Sequence, residues 1–262
     1  MEATVIIPYY KDWVGLELIL FALDQQTAKG KFDVIITEDN DDRESQLLIK
    51  QVSQNLSFPI THLFQEDNGF RKCKALNDAI KIAQTEFLIF IDGDCVPHKN
   101  FVEQYLKEKE EAKILYGRRV NLSKELTDKL KATKNLSLLS LSTLIFSGSG
   151  RIKEAFYLPF MPSLFKSKRQ FWGCNWAIYK KHLLEINGFD EDYNEYGFED
   201  LDIYKRMNNA GFQLKSVKFQ CIMYHLYHIT RSNPDVVNRM KILYESKMMS
   251  TPIKCVNGIV KL

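Results

Sequence analysis

A chain of 262 residues, 45% hydrophobic and 26% charged, has the composition of a globular protein long enough for one large α/β domain or two small ones. Its 36 basic and 33 acidic residues leave a formal net charge of +3, which excludes the global field that draws a protein to nucleic acid. The five cysteines, Cys73, Cys95, Cys174, Cys221 and Cys255, form no C-x-x-C pair and are odd in number, so a disulfide framework is not expected and a reducing cytosol is.

The first half alternates two periodicities. Short β-branched or aromatic runs at 4–7, 32–37, 60–64 and 87–91 are separated by stretches with helical spacing at 15–26, 44–55 and 73–84. The order β-α-β-α-β-α-β predicts a mostly parallel sheet flanked by helices, with ligands at the carboxyl ends of the strands. Polar clusters fall at those ends: Glu38-Asp39-Asn40-Asp41-Asp42, then Gln65-Glu66-Asp67-Asn68-Gly69-Phe70-Arg71, then Asp92-Gly93-Asp94. No G-x-G-x-x-G or G-x-x-x-x-G-K-[ST] is present, so neither a dinucleotide fingerprint nor a phosphate loop is supported. A charged helical stretch at 99–113 leads to a strand expected at 114–118. The texture then turns Leu/Ser-rich, Gly/Ser-rich and finally basic and aromatic. Residues 121–170 are therefore the expected insertion, read either as an amphipathic helix on the core or as an acceptor or membrane-surface segment.

Phe87-Leu88-Ile89-Phe90-Ile91 runs straight into Asp92-Gly93-Asp94. Paired carboxylates at the end of a buried strand cost free energy unless a cation meets them, although Asp-Gly is also a common turn dipeptide. With a glycine between them both acids can approach one site, Asp94 as a direct metal ligand and Asp92 toward a metal-bound water or a ribose. Hard oxygen donors suit Mg²⁺ or Mn²⁺, and a histidine ligand tilts the choice to Mn²⁺. The stretch MYHLYHITRSNPD offers His225 first and His228 second, with Arg231 near enough to meet phosphate. On a helix both histidines would face one site, whereas on a strand or loop only one would be well aimed. Glu199-Asp200 opens a helical pattern that stops at Gly211, so these acids would complement a helix dipole. The aromatic residues Tyr193, Tyr196 and Phe198 around Gly197 suit stacking on a sugar, beside a carboxylate able to take a hydroxyl proton. Upstream, Phe171-Trp172-Gly173-Cys174-Asn175 would let a ligand approach the backbone, and Cys174 reads as structural.

Together, VIIPYY, VIITEDND, QEDNGFRKCKALNDAI, FLIFIDGDCVP, WGCNWAIYKKHLLEINGFDEDY, GFEDLDIYKRM and YHLYH resemble family 2 inverting glycosyltransferases of the GT-A type. The second half resembles the galactosyltransferase-type segment of β-1,4-galactosyltransferases and bacterial chondroitin polymerases. The resemblance implies a Rossmann-like nucleotide-diphospho-sugar transferase fold, with a UDP-sugar-binding half at 1–120 and an acceptor-binding and catalytic half at 121–262. It also implies Pro8 and Tyr9 at the uridine, Glu38 accepting from uracil, and Asp67 and Arg71 completing the base site. Asp92-Gly93-Asp94 becomes the D-x-D element, with Asp94 and His225 on the metal. Asp200 beside Glu199 is the implied catalytic base, and Tyr196 governs donor and acceptor placement. Trp172, Gly173 and Asn175 would line the sugar, with Cys174 departing from the Gly-Gly-Asn of many members.

The implied reaction moves galactose or an N-acetylhexosamine from a UDP-sugar to a glycan or glycolipid hydroxyl during bacterial surface polysaccharide or lipopolysaccharide synthesis. The basic aromatic stretch 153–169 is the expected acceptor surface, and nucleic acid is not an expected partner. The alternatives are a nucleotidyltransferase and a non-catalytic sugar-nucleotide or glycan-binding module. MEATVIIPYY lacks the layout of a secretory signal, and no apolar run approaches the roughly 18 residues a span needs. The expected location is cytoplasmic, with any membrane contact peripheral and at the inner membrane.

Overall fold

A computed structural model describes residues 1–160, 171, 173–229 and 233–262. In chain order its elements are β1 (Ala3–Tyr9), α1 (Trp13–Asp24), β2 (Phe32–Glu38), α2 (Arg43–Ser53), β3 (Ile60–Phe64), α3 (Lys72–Ile82), β4 (Phe87–Ile91), β5 (Cys95–Pro97), α4 (Phe101–Glu108), β6 (Lys113–Tyr116) and β7 (Arg119–Asn121). There follow α5 (Lys124–Thr133), α6 (Leu141–Phe146), β8 (Asn175–Tyr179), α7 (Lys180–Glu185), α8 (Glu199–Asn209), β9 (Gln213–Ser216), β10 (Met223–His225) and α9 (Pro234–Met248), with 3₁₀ turns at Leu136–Leu139 and Ile152–Ala155.

The main sheet has seven strands in the order β3-β2-β1-β4-β8-β6-β9, and the first four are mutually parallel. The apolar runs of β1, β2 and β4 are explained by burial on both faces, whereas β3, at the sheet edge, is half exposed. Val5 and Ile7 of β1 join one core with Val34, Ile36, Ile89 and Ile91, while Ile6, Ile35, Leu88 and Phe90 join the core on the other side. Helices α1, α4 and α5 cover the first face; α3, α7 and α8 cover the second. This is the α/β architecture of the GT-A fold.

Two departures from the parallel pattern build the cleft. Strand β8 enters antiparallel between β4 and β6, pairing Ile91 with Asn175. Its amino-terminal end therefore meets the carboxyl end of β4, and the Asp92 N–H donates to the Cys174 carbonyl at 3.4 Å. A second, three-stranded sheet, β5-β10-β7, puts His225 in register with both Cys95 and Asn121.

The expected strand at 114–118 is shortened to β6, ending at Tyr116, and β7 follows it from Arg119. Its break is at Gly117, where a Cβ would collide with the Asn175 side chain. The expected helix at 99–113 is confined to α4, because Lys109 turns to extended backbone at φ −53°, ψ 131°. Residues 121–160 pack Leu126, Leu130, Leu139 and Leu144 into the larger core. Among the described residues no helix is long and apolar enough to cross a membrane.

Candidate active site

The strand ends converge on a cleft of about 340 Å³ whose lining includes Lys72, Asp92, Gly173, Tyr196, Glu199 and Asp200. Asp200 sits in the first turn of α8, after Phe198 at φ +69° and Gly197 at φ +113°. This left-handed pair turns the chain sharply into the helix, and no side chain caps α8. The Glu199 carboxylate instead accepts from the Gly197 N–H at 3.1 Å.

Helix α8 is fixed from below. Arg206, one turn beyond Asp202, is fully buried, pairs with Asp202 at 2.6 Å and donates to the carbonyls of Ile186 and Gly188. A buried pair with its remaining donors satisfied holds the helix in one position.

The Asp200 carboxylate accepts from the Gly173 N–H at 3.2 Å. Burial and the neighbouring charge of Glu199 raise its carboxyl to about 7, with Lys72 and the Gly173 N–H opposing them. Gly173 is a close-approach residue, since a Cβ there would overlap the Asp200 carboxylate. A carboxylate poised near neutrality in a cleft can take a proton from a hydroxyl at physiological pH.

Lys72, which sequence reasoning passed over, ties the cleft together. Its Nζ lies 3.2 Å from Asp92 and 3.5 Å from Glu199. Burial works against its charge, but Asp92, Asp200 and Glu199 outweigh that and raise its pKa well above the usual lysine value. The available signal was position: Lys72 is the first residue of α3, directly after the polar cluster that follows β3.

The metal candidates also meet. The Asp94 carboxylate is 3.1 Å from Nε2 of both His225 and His228, and the three donor atoms lie within 4.8 Å of one another. Burial opposes ionisation of Asp94, but hydrogen bonds from His225 and His228 hold its carboxyl well below the usual range. The expectation that a non-helical backbone aims only one histidine is corrected here. His225 ends β10, the Leu226 N–H donates to the Asp94 carbonyl at 2.8 Å, and the chain folds back so that His228 reaches the same oxygen. One carboxylate oxygen and two imidazole nitrogens form a donor set that fits Mn²⁺ well.

At the base-site end, Asp67 is exposed, pairs with Lys11 at 2.6 Å and accepts from the Tyr10 hydroxyl at 3.4 Å. The Arg71 guanidinium donates to the Glu66 carbonyl, while its backbone N–H donates to Asp39 at 2.6 Å. Pro8 lines the narrow crevice behind Asp92 and Asp200, and Tyr9 is buried. Gly93 is required less for its turn than for space, because a Cβ would stand 2.5 Å from the Pro8 carbonyl oxygen.

Two expected contacts are not brought to the cleft. Glu38 is fully buried, and its carboxylate is occupied by Ser45 at 2.6 Å, His62 at 2.9 Å and Asn40 at 3.4 Å. Its longer side chain folds beneath the loop, and Asp39 instead links Gln65 to the Arg71 backbone. Asn175 is likewise enclosed: it accepts from the Tyr105 hydroxyl at 2.6 Å and donates to the Arg118 and Cys221 carbonyls, leaving no amide for a sugar. Tyr196 is exposed at the cleft, and Cys174 is buried. Trp172 and Arg231 lie outside the described residues.

Comparison with known proteins places this geometry in a class. Residues 4–185 match the family described as Glycosyl transferase family 2, and the chain belongs to that family. Residues 163–229 match a second family, described as N-terminal domain of galactosyltransferase. Among curated relatives, hyaluronan synthase of Pasteurella multocida is 25% identical over 229 residues, covering 82% of this chain and 23% of that protein. Chondroitin synthase of Escherichia coli is 22% identical over 230 residues, 82% of this chain and 33% of the other. The chain thus spans between about a quarter and a third of these relatives' length. The fold matches Staphylococcus aureus TarS 1-349, in complex with UDP-GlcNAc, at a TM-score of 0.66 and 16% identity, covering 95% of this chain and 67% of that one. It also matches GalNAc-T7 with UDP, GalNAc and Mn²⁺ at a TM-score of 0.62 and 13% identity, covering 94% and 48%.

Proposed function

We propose that this chain transfers a sugar from a UDP-sugar to a hydroxyl of a glycan or glycolipid acceptor, with inversion at the anomeric carbon. The observation that carries the reading is Asp200, raised to about 7 and held by Gly173 in the cleft that Asp92 shares through Lys72. Asp200 takes the acceptor proton as the hydroxyl oxygen bonds to the anomeric carbon, and the bond to the diphosphate breaks with its electron pair leaving on UDP. Inversion follows from a single in-line displacement.

Asp94, His225 and His228 would hold Mn²⁺ or Mg²⁺, which supplies Lewis-acid neutralisation of the leaving diphosphate. The UDP-GlcNAc bound by TarS, and the UDP and Mn²⁺ bound by GalNAc-T7, support this donor class. Asp67 and Arg71 would form the base end of the site, with Asp39 the carboxylate that braces its loop, while Tyr9 packs in the core beneath it and Pro8 lines the crevice behind Asp92. Tyr196, exposed above the cleft, would stack on the sugar faces. Galactose or an N-acetylhexosamine is the donor sugar we favour, in surface polysaccharide or lipopolysaccharide assembly in a bacterial cytoplasm. The similarity to hyaluronan and chondroitin synthases supports polysaccharide work.

The test is Asp200→Asn. UDP binding by calorimetry with Mn²⁺ should stay within a few-fold of the parent, while transfer falls by a factor on the order of 10²–10⁴. Unchanged turnover would end the assignment of the base.

A further inference from the structure

We propose that α9 is a clamp for the turn that carries the base: by gripping residues 190–198 it positions Tyr196 and Asp200 in the cleft. The turn needs a hold from outside. Phe198 is a bulky residue at φ +69°, a left-handed conformation that persists only where surrounding contacts over-determine it, and no side chain caps α8. Asp200 follows two residues later, and the Asp202 N–H donates to the Phe198 carbonyl at 2.9 Å, so a rotation of the turn is passed directly to the first turn of α8.

Helix α9 supplies the hold. Met240, Leu243, Tyr244 and Lys247 fall at i, i+3, i+4 and i+7, which is one face of a helix. Met240 joins the core that contains Tyr193 and the α8 residues Ile203 and Met207, with Leu243 and Tyr244 packed against it. The Tyr244 ring lies 5.5 Å from that of Phe198. Lys247 pairs with Asp190 and with Asp192, each at 2.6 Å. The Arg239 guanidinium forms a forked pair with Glu195, Nε donating at 2.9 Å and Nη2 at 2.6 Å.

A single exposed ion pair stabilises little, but a bidentate one fixes direction as well as distance, which a loop carrying Tyr196 requires. The grip thus reaches Asp190, Asp192 and Glu195 before the exposed Tyr196 and Phe198 after it. Helix α9 begins beyond residue 229, where the second family match ends, so neither match assigns it a role.

The proposal rests on Asp200 as the base, and its test separates the two. The variants are Arg239→Ala, Glu195→Ala, the two combined, Tyr244→Ala and Tyr244→Phe, each in the full chain. Transfer from a UDP-sugar is assayed alongside UDP affinity in Mn²⁺ by calorimetry and amide hydrogen exchange by mass spectrometry. Arg239→Ala and Tyr244→Ala should each lower kcat by at least about tenfold with UDP affinity held within about twofold, because the Asp94 cluster and the base end lie on other elements. Tyr244→Phe keeps the ring and should restore the parent rate. The combined variant should lose no more than either single one, since Arg239 and Glu195 act through one contact. Exchange at the amides of 197–202 should quicken by at least about tenfold in both alanine variants of α9 while β1 and β4 stay protected. The proposal is overturned by a kcat that does not fall, by UDP affinity that falls in step with kcat, or by losses that multiply in the combined variant. Exchange at 197–202 that is unchanged, or that quickens equally in β1 and β4, overturns it as well. A parent that transfers no sugar, with 197–202 still released by the variants, would end the transferase reading and leave the clamp standing.

Discussion

Replacing Lys72 by methionine keeps most of the side-chain volume and removes the cation between Asp92 and Glu199. Lys72 lowers the Asp200 carboxyl while burial and Glu199 raise it, so its loss must move that carboxyl further up from about 7. Across a cleft of effective dielectric about 20, a nearby unit charge is worth about 3 kcal/mol, or about 2 pKa units. The base works ionised, so the acid limb of kcat/KM should move from near 7 to near 9. Turnover at neutral pH should fall about 50-fold and recover as the pH rises through the new limb. The assay is an initial-rate pH profile with a UDP-sugar and Mn²⁺, with UDP affinity measured in parallel. Lys72→Arg should keep the parent limb. An unmoved limb, or one displaced downward, would refute the electrostatic role assigned to Lys72. A loss of equal size at every pH would refute it too, since a contact with substrate alone has that signature.

Gly173→Ala drives a methyl into the Asp200 carboxylate, and displacing a base by about 1 Å should cost about 100-fold in kcat while UDP affinity changes little. Calorimetry with Mn²⁺ should show His225→Ala and His228→Ala each weakening the metal by at least about tenfold, because both nitrogens address the same Asp94 oxygen; loss in only one of them would reduce the site to two protein ligands. Arg206→Met leaves Asp202 buried without its partner, so chemical denaturation should show a loss of about 3–5 kcal/mol. A change below about 1 kcal/mol would mean that α8 is held by other contacts.

Much of the fold was legible because strand and helix periods are local properties of the chain. The runs at 60–64 and 87–91 became β3 and β4 at those bounds, and three acidic clusters fell at strand ends as the β-α alternation requires. Asp92-Gly93-Asp94 and Glu199-Asp200 were readable as candidates because carboxylates after a buried strand, or in a first helical turn beside aromatics, need a reason to be there.

What the sequence could not settle depended on which distant segments meet. Glu38 and Asp39 are adjacent in the chain, and only the packing of α2 and β3 turns Glu38 inward onto Ser45 and His62. Asn175 looked free until β8 inserted between β4 and β6 and enclosed it. Lys72 drew no notice because its partners lie 20 and 127 residues away. The sequence by itself determined the alternating elements and the pool of acids, histidines and aromatics, since burial periodicity and side-chain chemistry are carried residue by residue. The tertiary structure alone decided which of them share a cleft, because charge coupling, closeness of approach and burial are properties of pairs, and the chain order does not contain the pairs.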